Sequence, residues 1–242
     1  MEKISMNNFF LYIQLGAYMI KTAFKKKKVE RIRRIKGNDE AEKIINDHVL
    51  NWAEYILKKA KVELEIEGLE NLPKESCLYV ANHQSLFDIP VLLAGIRKPM
   101  GFISKKEIKK VKIISEWMEM IHCVFIDREN IRESVKAINK GIDNLKQGYS
   151  MVIFPEGTRN KEGKIGDFKQ GSMKLALKSG VPVVPVVIDG TYKIREGNKN
   201  NKIKPGKVRL IIKEPIYVDR LDKEDKNKLS NIIREVIKNQ LS

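Results

Sequence analysis

Cysteine is scarce: Cys77 and Cys123 are the only two in 242 residues. Two thiols cannot build a disulfide framework, and no C-x-x-C pair or His/Cys cluster suggests zinc. This usage fits a reducing compartment. Proline and glycine are few, at 8 and 15, which excludes collagen-like repeats. With 42% hydrophobic residues, wholesale disorder is excluded too. No apolar run reaches the ~20 residues of a spanning helix, so a multispan membrane protein is excluded. Acid is also short: 31 Asp and Glu against 47 Lys and Arg leave a net charge of +16. Such a surplus predicts attraction to a polyanion, either nucleic acid or an anionic membrane.

The distribution of charge helps to choose between them. Lys21, Lys25, Lys26, Lys27, Lys28, Arg31, Arg33, Arg34 and Lys36 face a single acid, Glu30. Directly before them runs the apolar stretch Phe9 to Ile20, which is too short to span a bilayer and is followed by no small-residue cleavage site. An aromatic-rich apolar segment joined to a polybasic one suits a helix lying in the membrane interface. A core helix with a solvated basic tail is the plainer alternative. A second helix is expected from about Asp39 to Ala60, with a stripe of Ile44, Ile45, His48, Trp52, Tyr55 and Ile56. The first sixty residues thus read as two helices joined by a charged turn.

The texture changes near Lys61. Val62 to Glu67 alternates with period two, as a half-buried strand does. Short apolar runs follow at Leu78 to Ala81, Phe102 to Ile103, Cys123 to Ile126, Met151 to Phe154, Val183 to Ile188 and Val208 to Ile212. Helical stretches are expected at Ile89 to Ile96, Ile131 to Gln147, Phe168 to Lys178 and Lys223 to Asn239. Strands alternating with helices predict an α/β fold with a largely parallel central sheet. The expected division is residues 1–61 as a two-helix membrane-interface motif and 62–242 as the α/β domain.

Ligands of open α/β sheets bind beyond the carboxyl ends of the strands. Three of those ends are polar here. They carry His83 with Asp88, then Arg128, then Glu156 with Arg159. A tight turn can bring Asp88 onto one imidazole nitrogen of His83 and leave the other to take a proton. On spacing alone, a histidine that caps the following helix fits at least as well. No G-x-S-x-G elbow is present, so a basic His83 would act on a hydroxyl of a substrate. Lys105, Arg128 and Arg159 could bind a phosphate if they converge, although each alone would ordinarily be a solvated charge.

These residues reach a recognisable pattern. Asn82-His83-Gln84-Ser85-Leu86-Phe87-Asp88 resembles the N-H-x-S-x-x-D block of glycerolphosphate acyltransferases, and Phe154-Pro155-Glu156-Gly157-Thr158-Arg159 matches their F-P-E-G-T-R block. Phe125 to Arg128 looks like their intervening block, and Val181 to Val186 resembles their closing one. The four occur in the family's order across roughly Val62 to Val218, and within the family bacterial lysophosphatidic acid acyltransferases look most similar.

The resemblance implies that His83 deprotonates the free hydroxyl of lysophosphatidic acid, which attacks an acyl thioester directly. Asp88 would hold the His83 tautomer. Arg128 and Arg159 would bind the glycerol phosphate, with Lys105 as a weaker candidate. Glu156 would accept from a glycerol hydroxyl, and Gly157 and Thr158 would shape the turn. It implies no metal and no cofactor, with acyl-ACP or acyl-CoA as co-substrate. The implied partners are lysophosphatidic acid, that donor and an anionic membrane surface, without nucleic acid, at the cytoplasmic face of the cell membrane. Acylation of glycerol 3-phosphate or another lysophospholipid stays open, as does a non-catalytic basic binding module. Two departures stand out: His122 replaces the family's usual Gly, and Ile113-Ile114 lacks the usual Pro.

Overall fold

The computed structural model describes residues 6–241, with backbone alone at 6–12, 15, 19, 23 and 24. The side chains of Phe9, Phe10, Leu11, Tyr12, Leu15 and Met19, half of the expected apolar segment, lie outside the described residues. The chain opens with α1 (Met6–Lys36) and α2 (Asn38–Ala60). The basic cluster is the second half of α1 and not a charged turn, because Lys and Arg are good helix formers. Arg33, Arg34 and Lys36 also complement the negative end of the helix dipole. The break is Gly37 alone, whose φ of 90° with ψ of 177° suits only glycine. Among the described residues, no helix is long and apolar enough to cross a membrane.

The buried face of α2 is Ala41, Ile45, His48, Val49, Ala53, Leu57 and Ala60. It is rotated from the expected stripe, leaving Ile44, Trp52 and Ile56 half-buried at its margin. The reason is steric: three alanines on the deep row let the helix backbone approach its neighbours. Ile45, Val49 and Leu57 each contribute roughly 1.5–3 kcal/mol by burial. They lie in the same apolar cluster as sheet residues such as Tyr79 and Leu210.

Seven strands follow: β1 (Val62–Glu67), β2 (Leu78–Ala81), β3 (Gly101–Lys105), β4 (Val124–Ile126), β5 (Met151–Ile153), β6 (Val183–Asp189) and β7 (Gly206–Ile212). Their order is β1-β7-β6-β2-β5-β3-β4. Every neighbouring pair is parallel except β6 and β7. This is the expected largely parallel sheet. Alternation along the strands feeds two cores. Tyr79, Ala81, Val184, Val186 and Ile188 face α2 and α3 (Asp88–Ile96). Leu78, Val80, Val183 and Val187 face α5 (Ile131–Lys146), α6 (Lys174–Ser179) and the last helix, α8 (Lys223–Lys238).

Three elements differ from the expectation. α4 (Lys112–Met120) forms without a side-chain cap, in a stretch that carries no starting signal. The Phe168-to-Lys178 helix begins late, as a 3-10 turn at Gln170–Met173 leading into α6. Its first residues stay extended because the Lys169 amide donates to the Pro155 carbonyl at 3.1 Å. A single turn of helix, α7 (Thr191–Ile194), follows β6.

Tyr18, His48, Tyr55 and Trp117 join α1, α2 and α4. Tyr18 stacks on Tyr55 at 4.5 Å, and His48 lies 4.3 Å from Trp117. Burial, helped by the Lys25 charge, lowers the His48 pKa from 6.5 to about 4. Between those values the unfolded chain binds a proton that the folded chain refuses, so stability falls as pH drops through this window. The melting temperature should therefore decline from pH 6.5 to 4 more steeply in the parent than in His48→Gln. Equal slopes would show that His48 does not carry the effect.

Candidate active site

The parallel strands deliver their carboxyl ends to one edge of the sheet. His83 lies two residues past β2, and Asp88 opens α3. His83 Nδ1 and Asp88 Oδ2 are 2.6 Å apart. Asp88 is fully buried. Its Oδ2 also accepts from the amides of Gln84 at 2.7 Å and Ser85 at 2.9 Å, and its Oδ1 accepts from the Thr191 hydroxyl. A carboxylate surrounded by donors is fixed in orientation, so it holds the Nδ1–H tautomer of His83. The Phe154 ring stacks on the imidazole at 4.1 Å. The Nε2 edge is then the one left to work, on a side chain that is 18% exposed.

The backbone around His83 is pinned from both sides. Its amide donates to Glu156 Oε1 at 2.7 Å, and its carbonyl accepts from the Asn160 amide at 2.8 Å. Glu156 Oε2 takes the Gly166 amide at 2.7 Å. Glu156 therefore ties the His83 turn to the Gly166 segment, one oxygen to each amide. Burial outweighs these amides and raises its pKa. Asn82 pairs through both ends of its amide with the backbone of Ile188, each at 2.8 Å, and so extends the β2–β6 pairing past the strand. Gln84 accepts from the Gly190 amide at 3.1 Å.

The two arginines have different partners. Arg159 Nη1 donates to Glu196 Oε1 at 2.6 Å. Arg128 Nη1 donates to the Gly157 carbonyl. Gly157 has φ +72°, and a β-carbon there would lie 3.1 Å from Lys169 Nζ and 3.8 Å from Arg128 Cζ. A side chain there would crowd Lys169, and the positive φ also favours glycine. Thr158 is exposed beside it. Lys105 is exposed at the end of β3, level with Ile126 in the register and apart from the His83 cluster. His122 takes φ +61°, a left-handed conformation that explains a preference for Gly at that position. It stacks on Tyr149 at 3.5 Å, toward the amino ends of the strands and away from His83.

Sequence reasoning missed Thr191, Lys169 and Glu196. None lies in a recognised block, and Thr191 reaches Asp88 only because β6 runs beside β2. Among the described residues, no group of three or more His, Cys, Asp or Glu could hold a metal ion. Glu156→Gln should test that tie: a carboxamide can accept only one of the two amides and opposes the other with its own N–H. A loss of about 1–3 kcal/mol is expected in urea unfolding, and an unchanged midpoint would contradict it.

The sequence and the fold have counterparts in known proteins. The family model described as Acyltransferase matches residues 63–189. A chloroplastic 1-acyl-sn-glycerol-3-phosphate acyltransferase of Brassica napus is 41% identical over 171 residues, covering 69% of this chain and 49% of that protein. The chain thus spans about half the length of this plant relative. A probable 1-acyl-sn-glycerol-3-phosphate acyltransferase of Mycoplasma pneumoniae is 33% identical over 186 residues, covering 72% of this chain and 70% of that protein. The crystal structure of the 1-acyl-sn-glycerophosphate (LPA) acyltransferase PlsC from Thermotoga maritima aligns with a TM-score of 0.79 at 30% identity. It covers 97% of this chain and 95% of that one. By the family model and by its relatives, this chain belongs to the acyltransferase family.

Proposed function

We propose that the chain transfers an acyl group from a thioester to the free hydroxyl of lysophosphatidic acid, giving phosphatidic acid for phospholipid synthesis. The observation that carries this is the His83–Asp88 couple, 2.6 Å apart and held by buried donors at a strand edge lined with arginines. The names of the relatives support the choice of acceptor. His83 Nε2 takes the hydroxyl proton as the oxygen attacks the thioester carbonyl. Asp88 stabilises the imidazolium that forms. When the C–S bond breaks, the imidazolium returns the proton to the leaving thiolate. No residue of the chain becomes acylated, and neither metal nor cofactor takes part. Arg159 and Arg128 bind the acceptor phosphate, with Lys105 as a weaker candidate. The donor is acyl-ACP or acyl-CoA.

We place the chain on the cytoplasmic face of the cell membrane, peripheral or monotopic. The basic second half of α1 supports this reading. Each Lys or Arg close to an anionic surface contributes about 1 kcal/mol before screening. A lysolipid acceptor then reaches the site from the bilayer with its phosphate at headgroup level.

His83→Ala should lower kcat by about 10²–10⁴-fold in a thiol-release assay, since that is the range of general-base catalysis. Asp88→Asn should be comparably severe. Thr191→Val should be milder, because it removes one of several donors to Asp88. A His83→Ala variant with wild-type turnover would refute the mechanism. For the membrane reading, sedimentation with vesicles should rise with anionic lipid content and weaken in high salt. Binding that ignores lipid charge would count against it.

A further inference from the structure

Arg195 and Glu196 lie outside every recognised block, just past α7. Glu196 is a charged residue in an unusual position: its side chain is 1% exposed. Its Oε1 accepts from Arg159 Nη1 at 2.6 Å, from Arg195 Nη1 at 3.0 Å and from the Leu86 amide at 3.1 Å. Its Oε2 accepts from the Ser85 hydroxyl. Burial would raise its pKa, but these hydrogen bonds and the two guanidiniums lower it on balance, so the carboxylate is ionised near neutrality.

This arrangement has three consequences. With every described partner a donor, Glu196 is occupied as an acceptor and is poorly placed to receive a substrate hydroxyl. Two guanidiniums converge on one carboxylate oxygen, at side chains that remain 34% and 22% exposed. The carboxylate is also fastened to Ser85 and Leu86, inside the loop that runs from His83 to Asp88. The arginine pair is therefore held in register with the catalytic base.

We propose that Arg195 is a second guanidinium for the acceptor's phosphomonoester, and that Glu196 is the positioning residue that spaces it from Arg159. The inference rests on the reading of the acceptor given above and adds residues to it. A phosphomonoester carries about −1.5 to −2 charges near pH 7, which a fork of two guanidiniums suits better than one. In lysophosphatidic acid the phosphate and the reacting hydroxyl sit on adjacent carbons. A site must fix both ends at once, and a carboxylate shared between the base's loop and the arginines does so. Buried charges left unpaired are costly, so an ion cluster of this kind is strongly coupled.

Steady-state kinetics of the full chain in mixed micelles test the proposal, with acceptor and donor varied separately. Arg195→Ala should raise the acceptor KM about tenfold or more, while donor KM changes less than twofold and kcat at saturating acceptor falls far less than kcat/KM. Arg195→Lys should recover only part of the loss, because the planar fork is gone. Monoacylglycerol, which lacks the phosphate, should be handled equally by parent and Arg195→Ala. Glu196→Gln should raise acceptor KM in the parent and much less in the Arg195→Ala background. An unchanged acceptor KM in Arg195→Ala, or a shift in donor KM instead, overturns the assignment. A second arm does not depend on turnover: glycerol 3-phosphate titrated calorimetrically into the parent and into Arg195→Ala should bind the variant about tenfold more weakly. Should the parent bind this probe through Arg195 yet fail to acylate lysophosphatidic acid, the proposed reaction falls and the phosphate site stands. Equal binding by both proteins, or none by the parent, overturns the site.

Discussion

The Asp88 carboxylate sits fully buried at the start of α3, and much of the active edge is organised around it. It gathers His83, the Gln84 and Ser85 amides and the Thr191 hydroxyl. Those donors come from the β2–α3 loop and from the first residue of α7, just past β6, so one carboxylate ties two strand ends together. A buried charge is tolerated only when so surrounded, because an unpaired carboxylate in an apolar interior costs several kcal/mol. Folding and chemistry thus make the same demand: the donors that make burial possible also keep the imidazole in one tautomer.

Three buried acids divide the work around that centre. Asp88 orients His83, Glu156 ties the His83 amide to the Gly166 amide, and Glu196 gathers two arginines against the Ser85–Leu86 turn. Each carboxylate has its oxygens filled by donors of the protein. What faces outward is basic: His83 Nε2 and the arginine side chains. In a chain with sixteen surplus positive charges, these acids lie inward and the cations outward, which suits the proposed anionic acceptor.

How far this was legible in the sequence depends on the range of each interaction. The strands were readable because their apolar runs are short and separated by helix-period segments; only their ends moved by a residue or two. The His83–Asp88 couple was readable because it is local, closed by a five-residue turn. Glu196 and Thr191 were not, since they meet the Ser85 and Asp88 groups across more than a hundred residues of chain. Nothing local marks them. The rotation of the α2 face was hidden for another reason. Hydrophobic periodicity favours large residues such as Trp52 and Ile56, while the closest packing selected Ala41, Ala53 and Ala60. α4 lacks a capping side chain, so its start left no signal. The continuity of α1 turned on one residue, Gly37, and on the helix propensity of its lysines.

The central claim is that His83 activates the acceptor directly and that no part of the chain carries the acyl group. Rapid-quench measurement of thiol release from the acyl thioester, at enzyme concentrations comparable with donor, tests this most directly. Without acceptor, the account predicts no burst of thiol and no acyl group on the protein by mass spectrometry; with acceptor, thiol and product should appear together. A burst of one thiol per chain before acceptor is added, with an acylated residue, would contradict it.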